Sequence, residues 1–234
     1  MKCKALLVVP ANNTTMEAEM NALCPDMAPF LVARVKRPAR TLTLEDLPAY
    51  RQSTLEAVEP FIDQKPDLVV YGCTAAGFLG GPDGNALMVE ALRQRTGATV
   101  VSTAGAMEAV LQHEGVTETA VVTPYLVPVN DGLRSYLDHA GVRVEVLNSF
   151  LCETVAALGE ITEDQVREKA LATVTAGSNA LFIACSQLPT LNVVPELRDQ
   201  LGIPVWSSIR ATAWVAERAM ASERDRLKWN HPKT

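Results

Sequence analysis

Apolar residues along this chain fall into eight short runs, separated by stretches in which apolar and polar positions recur at helical spacing. The runs are 4–9 "KALLVV", 31–35 "LVARV", 67–72 "DLVVYG", 98–102 "ATVVS", 118–123 "ETAVVT", 142–147 "VRVEVL", 179–184 "NALFIA" and 203–207 "IPVWS". Most are continuous rather than alternating, the pattern of strands covered on both faces of a parallel sheet. Helices are predicted between them, over 14–23, 45–62, 85–97, 104–115, 129–141 and 163–177, several closing on a glycine as a C-cap would. The first, "TTMEAEMNAL", opens with Thr14 and Glu17 at capping-box spacing. Strands alternating with helices imply right-handed crossovers.

The eight runs form two sets of four. "DLVVYGCTAA" matches "NALFIACSQL" in pattern, which places Cys73 against Cys185 and Thr74 against Ser186. "ATVVSTAGAMEAV" matches "IPVWSSIRATAWV", and "LLVVPAN" matches "AVVTPYL", with Pro10 against Pro124. A period this long is a duplicated domain rather than a solenoid. The expected fold is α/β: a duplicated unit of four parallel strands with covering helices. The boundaries are 1–108 and 109–208, with the C-terminal helix over 209–234 returning to cover the first domain.

Composition narrows the function. The 234 residues are 48% apolar with a net charge of −6, so there is no basic footprint for nucleic acid. An anionic substrate would need a local positive potential instead. No apolar run reaches the ~20 residues of a membrane helix. The first apolar run is also shorter than the roughly 7–15 residues of a signal-peptide core. Five cysteines, an odd number without paired spacing, point to reduced thiols and a cytoplasmic location. His113, His139 and His231 lack metal-ligand spacing, so no metal site is expected. "GFLGGPDGN" (77–85) lacks both G-x-G-x-x-G and a phosphate lysine; it reads as a flexible loop near the cleft.

Cys73 and Cys185 each follow a strand at its carboxyl end, where ligands bind in open α/β sheets. Backbone N–H groups at such a point favour an anion and lower a thiol pKa. A single cysteine there would be read as a small buried residue. Two at equivalent points of a duplicated unit read as catalytic. Cys3, Cys24 and Cys152 lack that setting. Asn12, Asn13 and Thr14 serve either as a turn and helix cap or as substrate ligands. Arg210 reads as a surface or helix-terminal residue.

These motifs in this order, "VVPANNTTMEAEM", "YGCTAAGF", "VVSTAGAM", "TPYLVPVN", "ACSQLPTL" and "IPVWSS", resemble the aspartate/glutamate racemase superfamily over nearly the whole chain. The resemblance implies two similar four-stranded, Rossmann-like parallel-sheet domains related by a pseudo-twofold axis, with the active site in the cleft between them, and no metal or organic cofactor. It is similar in detail to the branch of maleate cis–trans isomerases and arylmalonate decarboxylases. It implies Cys73 as nucleophile, Cys185 as the second thiol, and Asn13 and Tyr125 as substrate ligands. Thr154, in "ETV", stands where the isomerases carry a further asparagine, and Thr74 and Ser186 could donate to an enediolate. The decarboxylases carry glycine at the position of Cys73. The expected activity is cis–trans isomerisation of a small carboxylate or dicarboxylate by a homo-oligomer, dimer or tetramer. The alternatives are an amino-acid or hydantoin racemase with opposed thiols, an arylmalonate-type decarboxylase, and a non-catalytic binding protein.

Overall fold

The computed structural model of the protein describes residues 3–37 and 40–230, with side chains up to residue 221. His231 lies outside the described residues, as do 231–234 of the C-terminal helix expected over 209–234. The first half runs β1 (Ala5–Pro10), α1 (Met16–Leu23), β2 (Leu31–Val35), α2 (Leu47–Val58), β3 (Leu68–Tyr71), α3 (Thr74–Phe78), α4 (Gly81–Thr96), β4 (Thr99–Ser102) and α5 (Thr103–His113). The second runs β5 (Glu118–Thr123), α6 (Val127–His139), β6 (Arg143–Ser149), α7 (Val155–Gly159), α8 (Glu163–Thr173), β7 (Leu181–Ile183), α9 (Val193–Leu201), β8 (Val205–Ser207) and α10 (Ser208–Asn230).

All strands pair in parallel. The sheets have the same topology, β2-β1-β3-β4 and β6-β5-β7-β8. Burial explains why the runs are continuous. Leu6, Leu7, Val8 and Val9 are all fully buried, each worth roughly 1.5–3 kcal/mol. They alternate between two cores, as the two-residue strand period requires. Leu6 and Val8 join a cluster under α2 and α4, with Tyr50, Met88 and Leu92. Leu7 and Val9 join a larger cluster that continues into the second sheet through Val121, Phe182 and Ile183. Helix α10 packs on α5 and α1 of the first half.

Two local expectations are corrected. Thr14 does not cap α1. Asn13 Oδ1 instead accepts from Thr15 N (3.1 Å) and Met16 N (2.9 Å), its side chain, one atom longer than threonine's, reaching both orphan N–H groups. The stretch 77–85 is not a loop: it is the end of α3 and the start of α4, with Gly81 at φ 69° taking the bend between them.

Gly72 joins β3 to the site. A Cβ there would lie 2.7 Å from Met16 Sδ and 2.8 Å from Val9 Cγ1, inside the densely packed core. Gly72→Ala is therefore expected to lower unfolding stability by about 1–3 kcal/mol in urea denaturation. Gly84→Ala, whose Cβ would meet no atom within 4 Å on α4, should leave stability unchanged or raise it by up to about 1 kcal/mol.

Candidate active site

In a sheet of order 2-1-3-4 the chain leaves in opposite directions after its first and third strands, and the crevice so opened takes ligands. Here both sheets open that crevice toward each other. One cavity of about 490 Å³, counting its open mouth, lies between them and is lined from the carboxyl ends of β1, β3, β5 and β7. The loop after β1 gives Asn12 and Asn13, that after β3 Cys73 and Thr74, that after β5 Tyr125, and that after β7 Cys185, Ser186 and Gln187. Leu42, Val129, Val155 and Leu158 form an apolar wall. An apolar wall with a few converging polar groups is the lining of a small-molecule site.

A set of hydrogen bonds across the two halves holds these loops in place. Ser186 Oγ donates to the Gly72 carbonyl at 2.7 Å. Asn13 Nδ2 donates to the Ser186 carbonyl at 3.0 Å and lies 3.3 Å from its Oγ. Gln187 Nε2 donates to Thr14 Oγ1 (3.0 Å), Thr14 N donates to Gln187 Oε1 (3.2 Å), and Thr15 Oγ1 donates to the Gln187 carbonyl (2.9 Å). On α1, the buried Glu19 carboxylate accepts from Thr190 N (2.6 Å), Thr190 Oγ1 (3.0 Å) and Leu191 N (3.1 Å). Burial still pushes the Glu19 pKa up against these donors.

The thiols are buried, Cys73 at 4% exposure and Cys185 at 6%, so bulk water scarcely reaches either sulfur. Burial raises the Cys185 thiol from the ordinary 9.0 to about 11, against the lowering effect of the Gln187 N–H and the Tyr125 phenol. The Gln187 N–H donates to Cys185 Sγ at 3.3 Å. Nearby Cys73 adds a like-charge contribution that raises Cys185 further. Burial and then Cys185 drive the Tyr125 phenol well above its usual value. At neutral pH the site thus holds a protonated Cys185 and a neutral Tyr125, both able to donate. Tyr50 faces Cys73 closely enough for the thiol to raise its pKa, after burial. Its hydroxyl is nevertheless outside bonding geometry and has no partner.

Most of the residues singled out from sequence meet here. Cys73, Cys185, Asn13, Thr74, Tyr125 and Ser186 all line the cavity. The Thr74 hydroxyl is buried and unpartnered, so it is available to a ligand. The Asn13 amide and Ser186 hydroxyl are engaged in the cap and cross-domain bonds above. Thr154 is not brought in. It is exposed, its Oγ1 accepting from Ala157 N (3.2 Å) as the cap of α7, while its neighbours Val155 and Leu158 face the cavity. Arg210 is not a surface residue: it is half-buried, donates to the Leu191 carbonyl at 3.1 Å, and carries an unpartnered buried Nε. Cys24 and Cys152 are buried away from the cavity, and burial raises both, Cys24 to about 12. His113 is exposed and stacks 4.8 Å from Trp214.

Three polar lining residues, Arg37, Thr41 and Gln187, escaped the sequence reading. Gln187 follows the second Cys-Ser pair directly. Arg37 follows β2, at the same carboxyl edge that identified the cysteines, and is the only charged side chain among the described residues lining the cavity.

The sequence matches the arylmalonate decarboxylase (Amdase) family over residues 6–227. It is 30% identical over 222 residues to a maleate isomerase of Nocardia farcinica (strain IFM 10152), covering 92% of this chain and 88% of that one. It is 26% identical over 214 residues to the arylmalonate decarboxylase of Bordetella bronchiseptica, covering 91% and 88%. Among solved structures it is similar to a Cys→Ser mutant of Nocardia farcinica maleate cis–trans isomerase with a covalently bound succinylcysteine intermediate. That likeness has a TM-score of 0.85 and 27% identity, and covers 94% and 93% of the two chains.

Two outcomes are expected from this geometry. In a Cys73→Ala background, iodoacetamide labelling of Cys185, followed by peptide mass spectrometry, should accelerate as pH rises toward about 11; a midpoint at or below 9.0 would contradict the burial effect. Ser186→Ala leaves the buried Gly72 carbonyl without its partner and should cost about 1–3 kcal/mol of stability, read as a lowered denaturation midpoint.

Proposed function

The chain belongs to the arylmalonate decarboxylase family, and we propose that within it this protein is a cofactor-independent cis–trans isomerase of a small unsaturated dicarboxylate, maleate being the substrate to test first. The observation that carries this reading is the pair of buried thiols, Cys73 and Cys185, at equivalent ends of β3 and β7 in one cavity. Similarity to maleate isomerases of several bacteria supports it, and so does the succinylcysteine found in a related isomerase.

The steps balance with these residues alone. Cys73, as thiolate, adds to one alkene carbon, and the π pair moves onto the neighbouring carbon and its carboxylate. The Cys185 thiol gives that carbon a proton; the raised Cys185 pKa suits this acid role. The former double bond is now single and rotates. The Cys185 thiolate then takes back a proton, the electron pair re-forms the alkene, and the C–S bond breaks to return the Cys73 thiolate. The developing enediolate needs donors that are already in place, which the Thr74 hydroxyl and the Tyr125 phenol supply. Desolvation strengthens each of these contacts. Both thiols must stay reduced, which supports a cytoplasmic location. A homo-oligomeric assembly is part of the same reading, and its check is the mass in solution.

Cys73→Ala and Cys185→Ala are each expected to lower the rate of fumarate formation from maleate by at least about a hundredfold; full activity in either variant would remove that thiol from the mechanism. The native protein should release little or no CO₂ from phenylmalonate; rapid release would favour the decarboxylase reading. In D₂O it should not place deuterium at the α-carbon of aspartate, glutamate or a hydantoin. Such exchange, with maleate left untouched, would make it a racemase.

A further inference from the structure

We propose that Arg37 is the residue that selects a doubly charged substrate, by receiving one of its two carboxylates. This rests on the dicarboxylate reading above and adds to it the source of the charge recognition. The protein carries a net charge of −6, so its overall field opposes the approach of a dianion. A cavity for such a substrate needs its own positive charge. Among the described residues lining it, Arg37 is the only one that carries a charge.

Among the described residues the guanidinium has no ion-pair partner. Seven ion pairs join described residues, and none includes Arg37. Its Nη2 donates to the Arg40 carbonyl at 3.1 Å, which fixes the plane of the group. Its Nε is shielded from solvent and has no hydrogen-bond partner. A buried donor left unpaired costs on the order of 1–3 kcal/mol, a cost that a bound carboxylate would remove. The group is near enough to both Tyr125 and Tyr50 for its charge to lower the pKa of each. It lines the same cavity as Cys73 and Cys185. The planar fork of arginine matches a carboxylate with two parallel hydrogen bonds, which a lysine cannot reproduce.

The other residues around the cavity offer neutral donors only. The unpartnered Thr74 hydroxyl can take the second carboxylate, where negative charge builds up during addition. One carboxylate is then held by a full charge and the other by neutral donors. A substrate with both carboxylates changed to amides loses the charged contact.

The test compares maleate with its diamide, maleamide, in the wild type and in Arg37→Gln and Arg37→Lys. In Arg37→Gln, kcat/KM for maleate should fall at least about tenfold, mostly through KM, while maleamide changes little, so that discrimination collapses. Arg37→Lys should recover part of the maleate loss. Equal losses for both compounds with a lowered melting temperature would show a structural role only, and unchanged discrimination would overturn the proposal. Calorimetric binding of succinate and succinamide supplies an arm that does not depend on turnover. If the wild type leaves maleate unchanged, the isomerase reading fails, yet loss of succinate preference in Arg37→Gln still upholds Arg37 as the dianion selector. Retention of that preference overturns it.

Discussion

The hydrogen bond from Ser186 Oγ to the Gly72 carbonyl, 2.7 Å across the two halves, sets the geometry on which the rest of the site depends. Each partner is the sequence neighbour of a cysteine. Two parallel sheets are separate rigid bodies, and nothing within either sheet dictates where the other sits. Fixing the residue before Cys73 to the residue after Cys185 places both sulfurs on one cavity. Asn13 reinforces the junction from the end of β1 by donating to the Ser186 carbonyl while capping α1. Glycine at 72 is part of the same constraint, since a side chain there would meet Met16 and Val9.

The junction also makes two similar halves chemically unequal. Gln187 donates its backbone N–H to Cys185 Sγ, and Tyr125 bears on the same sulfur, yet burial outweighs both and holds the thiol protonated to about 11. Across the cavity the Tyr50 hydroxyl remains unpartnered and the Thr74 hydroxyl is open to a ligand. A duplicated fold thus yields one sulfur suited to hold a proton opposite another placed at the start of a helix. Acid–base work gains from that inequality, because different environments assign the proton to one group of a pair and the charge to the other.

Much of this was legible in the sequence, for physical reasons. Strands buried on both faces must be continuous apolar runs, so β3 and β5 fall within the bounds read from the pattern, 67–72 and 118–123. Topology then sends ligands to the strand ends, which is why Cys73, Thr74, Cys185 and Ser186 could be named together, whereas Tyr125 came from the family resemblance. The cap of α1 was misassigned, because spacing shows that Thr14 and Glu17 could pair but not that Asn13 reaches the N–H groups first. The glycines of 77–85 suggested a loop, yet most of them occupy helices and only Gly81 needs a left-handed bend. Thr154 sits at a plausible position in the chain, but its side chain caps α7 instead of facing inward. Arg37 was missed because nothing in a polar stretch after β2 says which cation turns toward the cleft; that depends on the opposing half.

The most direct measurement is intact and peptide-level mass spectrometry of the Cys185→Ser variant after mixing with maleate. With its proton-handling partner weakened, Cys73 should accumulate a covalent adduct heavier by one maleic acid. The native protein should show little, and a Cys73→Ala variant none. An adduct confined to Cys185, or the absence of any adduct on Cys73 while isomerisation proceeds, would contradict attack by Cys73.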